Sequence, residues 1–200
     1  MNFKTLEDTS EPAHSTTHQA QLDRLLDYLE QKIATDSCGY LAIELIAKEN
    51  NLTNAEILEI GADPSSLIYL MAHRLNARMI NRFCSTYLFA IGFTSLERIK
   101  KYMLSLFQFD IENIKLRGAI HQYAWSFNKT QEQQINRQAM QLMAPIYLEF
   151  HENHIESPDA RCHAIWSLYS HALRLSATQG ASAQDCLDEI WDAVALMSTQ

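Results

Sequence analysis

The chain has 200 residues, 47% of them hydrophobic, and a formal net charge of -8, enough apolar mass for one large domain or a small one joined to a medium one. No apolar run reaches the roughly 18 residues a membrane span requires. The opening MNFKTLEDTSEPAHSTTHQ is polar and acidic, so neither a membrane helix nor a secretory leader is expected, and the chain reads as cytoplasmic.

Five Gly, four Pro and the absence of alternating β-branched runs predict helices throughout. Residues 1–17, rich in Ser and Thr and poor in apolar side chains, are expected to form a disordered arm. From His18 to about Ala34, Leu22, Leu25, Leu26, Leu29 and Ile33 share one helical face, with Asp23, Asp27 and Glu30 opposite. Asp36, Ser37 and Gly39 break that helix. A shorter one is predicted from Tyr40 to Lys48 with Leu41, Leu45 and Ile46 inward, and Asn50-Asn51 after it suit a left-handed turn. Thr53 and Glu56 have the spacing of a capping box for a third helix, which buries Ile57 and Ile60 and stops at Gly61. Asp63 as N-cap and Pro64 at the first helical position open a fourth, reaching about Ala90.

Two short helices, a tight Asn-rich turn and a first helix behind both make a helix-turn-helix pattern over residues 18–62, leaving 63–200 as a second domain. The stretch Ala42 to Leu67, with Ile46-Ala47 in the second helix, Leu52-Thr53 at the turn, Ile57 in the third and Leu67 in the fourth, resembles the TetR family of bacterial repressors. The order and lengths of the later helices are similar too. The resemblance implies an all-α fold, a DNA-binding N-terminal unit, a C-terminal cavity for an inducer, and a homodimer joined through the last two helices. It therefore implies a ligand-responsive transcriptional repressor. The chain departs from the family's usual residues at Ala42, Glu44, Leu58 to Gly61 and Pro64.

Candidate DNA-facing residues are Lys48, Thr53, Asn54, Glu56 and Leu58; Asn can pair with adenine and Glu can accept from cytosine. Phosphate anchoring is another matter, since affinity for duplex DNA comes mainly from Lys and Arg. Between Cys38 and Leu67 only Lys48 is basic, among Glu44, Glu49, Glu56, Glu59 and Asp63. Residues 1–70 carry four basic and twelve acidic side chains, residues 71–150 ten and five, and residues 151–200 two and seven. The basic middle, His73, Arg74, Arg78, Arg82, Arg98, Lys100 and Lys101, reads either as a displaced phosphate surface or as neutralisation of the acidic N-terminal unit. Two functions stay open: a ligand-controlled operator-binding repressor, and a TetR-derived dimeric ligand sensor or protein-binding module that no longer grips an operator.

Further along, Thr94 and Glu97 form a second capping-box pattern, opening a helix through Ile99, Met103, Leu104 and Leu106; Phe107, Phe109, Ile111 and Ile114 lead into another ending near Trp125. A longer helix from about Thr130 to His154 carries Pro145 as an expected kink. The helix from Asp159 to about Ala177 is apolar on most sides and must be covered on most sides. With the final helix from about Ser182, it suggests a twofold partner meeting Ile165, Tyr169, Leu173, Leu187, Trp191 and Val194; burial inside one monomer is the alternative. Met103, Phe107, His121, Trp125, Met140, Met143, Tyr147, Trp166 and Tyr169 suit either an apolar ligand cavity or plain core.

Cys38, Cys84, Cys162 and Cys186 are far apart and lie in apolar helical patterns, which predicts free buried thiols. His151 and His154, and His163 and His171, have no thiolate or carboxylate set at ligand spacing, so no metal and no cofactor are expected. No catalytic constellation is present: neither G-x-S-x-G, a phosphate loop nor H-E-x-x-H occurs, and the chain is not read as an enzyme.

Overall fold

The computed structural model describes residues 12–36, 43–59, 63–84 and 92–199, the side chains of 12–17, 36 and 43–45 excepted. The expected arm over residues 1–11, the break at Gly39, the start of the second helix at Tyr40, Cys38, Leu45 as a core side chain, Ile60 and Gly61 lie outside the described residues, whereas the fourth helix, expected to reach about Ala90, ends at Phe83 with Cys84 in a turn. Within them the fold is all-α, with no strand. Its helices are α1 (Pro12–Asp36), α2 (Ile43–Glu49), α3 (Asn54–Glu59), α4 (Pro64–Phe83), α5 (Ser95–Glu112), α6 (Ile114–Tyr123), α7 (Lys129–Glu152), α8 (Pro158–Gln179) and α9 (Ala183–Met197). The chain divides into two compact units, Met1–Leu67 and Ile68–Gln200, and the division falls inside α4 rather than before it.

α1 begins at Pro12, so residues 12–17, expected in the arm, are helical. Pro is pre-organised for a first helical position, and extending a helix that an amphipathic face already holds costs far less than nucleating one. In this first unit Leu25, Leu26, Leu29 and Ile33 of α1, Ile46 and Ala47 of α2, Ile57 of α3 and Leu67 of α4 are buried, and Leu52 is half-buried. The α2–α3 turn is set by the backbone of α2. Asn51 adopts φ 54°, the Leu52 N–H donates to the Ala47 carbonyl at 2.9 Å, and the Asn51 N–H to the Lys48 carbonyl at 3.4 Å. This is a Schellman closure with Asn where Gly is usual. Asn51→Val is expected to cost about 1–2 kcal/mol, because a β-branched residue resists the left-handed conformation, while Asn51→Gly stays near neutral. Urea denaturation reads both, and equal losses in the two would remove backbone handedness as the cause.

Capping boxes recur through the chain. Thr53 with Glu56, Thr94 with Glu97, Asn128 with Gln131 and Ser182 with Asp185 each exchange side-chain and backbone bonds at a helix start. The Thr53 and Thr94 backbone bonds lower the pKa of Glu56 and Glu97, and the Ser182 hydroxyl lowers that of Asp185. At Asp63, burial alone acts upward, but hydrogen bonds from Ser66 and Ser65 outweigh it and the net shift is down. Since the folded pKa lies below the unfolded one, this stabilisation is complete above the ordinary values of 4.5 for Glu and 3.8 for Asp, and is lost as pH falls through the folded values. Melting temperature followed from about pH 6 to about pH 3 is expected to drop on the acid side, and less so in Glu97→Gln. An identical acid limb in that variant would mean that the caps do not carry the pH dependence.

In the second unit α9 lies on α5 and α8, and α8 also contacts α7, α5 and α6. Met103, Leu106, Phe107, Leu142, Met143, Ile146, Ile165, Tyr169, Leu187 and Val194 form its core. α7 runs through Pro145 as one helix. Pro has no N–H for the Gln141 carbonyl one turn back. The Cys84 thiol supplies the missing donor at 3.4 Å, and the Tyr102 hydroxyl donates to the adjacent Leu142 carbonyl at 2.7 Å.

Candidate functional site

Two features carry candidate chemistry, one in each unit. In the first, Ile57 anchors α3 inward, which turns Thr53, Asn54, Ala55, Glu56, Leu58 and Glu59 to solvent. Leu58 is 61% exposed, and Lys48 on α2 is exposed as well. Thus all five sequence-predicted DNA-facing residues are accessible. Thr53 and Glu56 are nonetheless committed to one another: the Thr53 N–H and hydroxyl both reach Glu56 Oε2 at 2.8 Å. With its pKa lowered, the Glu56 carboxylate is a fixed negative charge at the start of α3.

Four basic residues of α4 and α5, Arg82, Arg98, Lys100 and Lys101, have partners inside the second unit. Arg98 is bidentate on Glu149, Arg82 lies 3.9 Å from Glu112 and over the Phe83 and Phe109 rings, Lys100 sits over Trp191, and Lys101 over Phe93. Their charge is in use for packing and pairing.

The second feature is a cavity of about 350 Å³ between α5, α6 and α8. Its walls are Ile114, Ile120, Trp166 and Leu173, and Asp110, Arg117 and Tyr169 are polar residues of its lining. Exposed His121, Gln122, Arg174, Ala177 and Thr178 mark where it opens to solvent. Asp110 is 1% exposed, so its charge needs a partner. Arg117 Nε donates to Oδ1 and the Tyr169 hydroxyl to Oδ2, both at 2.7 Å. Burial, then the neighbouring Asp110 charge, push the Tyr169 pKa well up, so the phenol keeps the proton it donates.

The polar contacts continue away from the cavity. Arg117 Nη1 donates to Asn76 Oδ1 at 2.7 Å, Asn76 Nδ2 to Gln138 Oε1 at 3.4 Å, and Gln138 Nε2 to the His73 carbonyl at 3.1 Å. A second nitrogen of Arg117 approaches Met79 Sδ at 3.5 Å. Tyr169 on α8, Asp110 on α5, Arg117 on α6, Gln138 on α7 and Asn76 on α4 therefore form one buried chain of hydrogen bonds. It begins in the cavity wall and ends on α4.

Of the sequence-predicted ligand residues, the cavity gathers His121, Trp166 and Tyr169. Met103, Phe107 and Met143 are fully enclosed core; Phe107 backs the wall by stacking on Tyr169 at 4.4 Å, as Trp166 does at 5.2 Å. Trp125 is 83% exposed and Tyr147 stacks on His151, so neither lines the cavity. Of the expected dimer residues, Ile165, Tyr169, Leu187 and Val194 are buried within the chain itself, and only Leu173 and Trp191 stay partly open. Within the chain, α5, α6, α7 and α9 bury Cys162, Ile165, Tyr169 and Ala172 of the apolar α8, while Trp166, Leu168, Leu173 and Leu175 stay half-buried. The outer faces of α8 and α9 instead present Ala164, Ser167 and His171, and Asp188, Asp192 and Leu196.

Asp110, Arg117, Asn76 and Gln138 escaped the sequence reading. The available signal was a charged residue at an inward position, Asp110 one turn beyond Leu106 and Phe107 on the same helical face.

Gly118 lines the cavity in mid-helix, and a Cβ there would meet nothing within 4 Å. Gly118→Ala is expected to stabilise the chain by about 0.5–1 kcal/mol through helix propensity. A lower melting temperature would contradict the open space described. Among the described residues no group of three or more His, Cys, Asp or Glu is placed to hold a metal. The buried thiols are poor nucleophiles: burial, with Asp159 adding to it, pushes Cys162 up to about 12. Comparison with known proteins finds no family model, no curated protein and no solved structure that matches this chain.

Proposed function

We propose that the chain is a ligand-responsive DNA-binding regulator of the TetR type, in which occupancy of the α5–α6–α8 cavity is felt at α4. The observation that carries this reading is the buried run from Tyr169 through Asp110 and Arg117 to Asn76. Such a network is stable when every member is satisfied, and a ligand that disturbs the Tyr169 or Arg117 end leaves α4 polar groups short of partners. α4 follows α3 directly in the chain, and α2–turn–α3 is the helix-turn-helix of this proposal, with Asn54 and Leu58 facing the groove. A dimer presents two such units to half-sites about 34 Å apart, and a change in their separation releases the operator. Pairing of chains is assigned here to the outer faces of α8 and α9, since Ile165, Tyr169, Leu187 and Val194 are buried within the chain.

One observation favours a second reading. The ionised Glu56 at the start of α3, with Glu59 beside it and Lys48 as the exposed cation of α2, repels the phosphates a recognition helix must approach. In that reading the same ligand sensor works through a protein partner. Selection of bound fragments from genomic DNA at several salt concentrations separates the two. Enrichment of a palindrome, with affinity falling steeply as salt rises, is the result expected of the regulator; no enrichment even at low salt would leave the sensor without an operator.

A further inference from the structure

Resting on the reading of the cavity as a ligand site, we propose that its occupant is an organic anion with an apolar body, a medium-chain carboxylate held at the mouth by Arg174 and His121. The charge of the lining argues for this. Asp110 is the lining's acidic side chain, and both of its oxygens already accept bonds, from Arg117 and Tyr169. Arg117 balances it. Arg174 has no carboxylate partner among the described residues, and it lines the cavity while remaining exposed. The mouth therefore carries an uncompensated guanidinium, a planar donor whose geometry fits a carboxylate. His121 adds an imidazole N–H on the opposite helix, α6.

The body of the ligand follows from the walls. Ile114, Ile120, Trp166 and Leu173 offer apolar contact, and the space beside Gly118 is open. A volume of about 350 Å³ equals roughly a dozen waters at ~30 Å³ each, which sets the size at about ten to twelve non-hydrogen atoms. Octanoate meets both demands. Chains well beyond twelve non-hydrogen atoms exceed this volume, and an amine of the same length as octanoate places its charge against Arg174.

The test is calorimetric titration of the full chain with octanoate, 1-octanol and octylamine, each kept below the concentration at which it aggregates. Octanoate is expected to bind at least tenfold more tightly than 1-octanol, and octylamine more weakly than either. Arg174→Gln, at an exposed position, lowers octanoate to the affinity of the alcohol and leaves the alcohol unchanged. Gly118→Leu, which fills the open space, weakens both, and quenching of tryptophan fluorescence by octanoate disappears in Trp166→Phe. Equal binding of alcohol and acid, a preference that survives Arg174→Gln, or no binding of any probe overturns the proposal. Its fate is separable from that of the regulator. A chain that prefers octanoate but selects no DNA keeps the anion site and loses the operator, whereas one that releases DNA with 1-octanol as readily as with octanoate keeps the regulator and loses the anion.

Discussion

Arg117→Met is expected to destabilise the folded chain by roughly 3–5 kcal/mol, the range for stripping one partner from a buried ion pair. Met matches much of the volume, so the loss is electrostatic. Asp110, 1% exposed, keeps only the Tyr169 hydroxyl as donor, and Asn76 Oδ1 loses its guanidinium. In a chain of this size each kcal/mol corresponds to roughly 2–4 °C, so the melting temperature is expected to fall by about 6–20 °C. Asp110→Asn retains an acceptor and a similar shape, and should lose less. The variant pair thus separates charge from packing. Were Arg117→Met to melt within a degree or two of the parent, the run from the cavity to α4 would be incidental, and with it the coupling on which the proposed regulation depends.

The second large effect lies where α5 begins beside the end of α7. Glu149 is buried, and Arg98 Nε and a second guanidinium nitrogen reach its two oxygens at 2.5 and 2.7 Å while the Ser95 hydroxyl donates at 2.7 Å. Arg98 also donates to the Phe93 carbonyl, fixing the turn into α5. Removing the cation strips the buried carboxylate of its bidentate partner, and Arg98→Met is expected to cost about 3 kcal/mol, the low end of the buried-pair range because a quarter of the Arg98 side chain is open to water. Glu149→Leu combined with Arg98→Met should recover a large part of that loss, since the stranded charge is then gone. Denaturant unfolding of the two single variants and the double gives the coupling energy directly. Strict additivity would show that the pair contributes nothing as a pair.

The sequence by itself determined what depends on neighbours within one turn. The capping boxes at Thr53 and Thr94, the Asp63 N-cap before Pro64, the left-handed Asn51 and the inward Ile57 all follow from spacings of three or four residues, where the interacting groups are fixed by helix geometry alone. The all-α class followed from the same periodicity. Asn128 with Gln131 and Ser182 with Asp185 were equally local and equally readable.

Tertiary structure alone decided which apolar side chains face a cavity, which face the core and which face water. Periodicity places Met103, Phe107 and Trp166 on inward faces, but only the packing of α8 against α5 and α6 leaves Trp166 beside open space and closes Met103 and Phe107 away. The same packing buried Ile165 and Tyr169 of α8, two of the side chains that had pointed to a partner, inside the chain itself. It also joined Asp110, Arg117, Asn76 and Gln138, which come from four helices and as many as 62 residues apart. A hydrogen bond between distant residues depends on distance and direction in space, and no spacing along the chain encodes either.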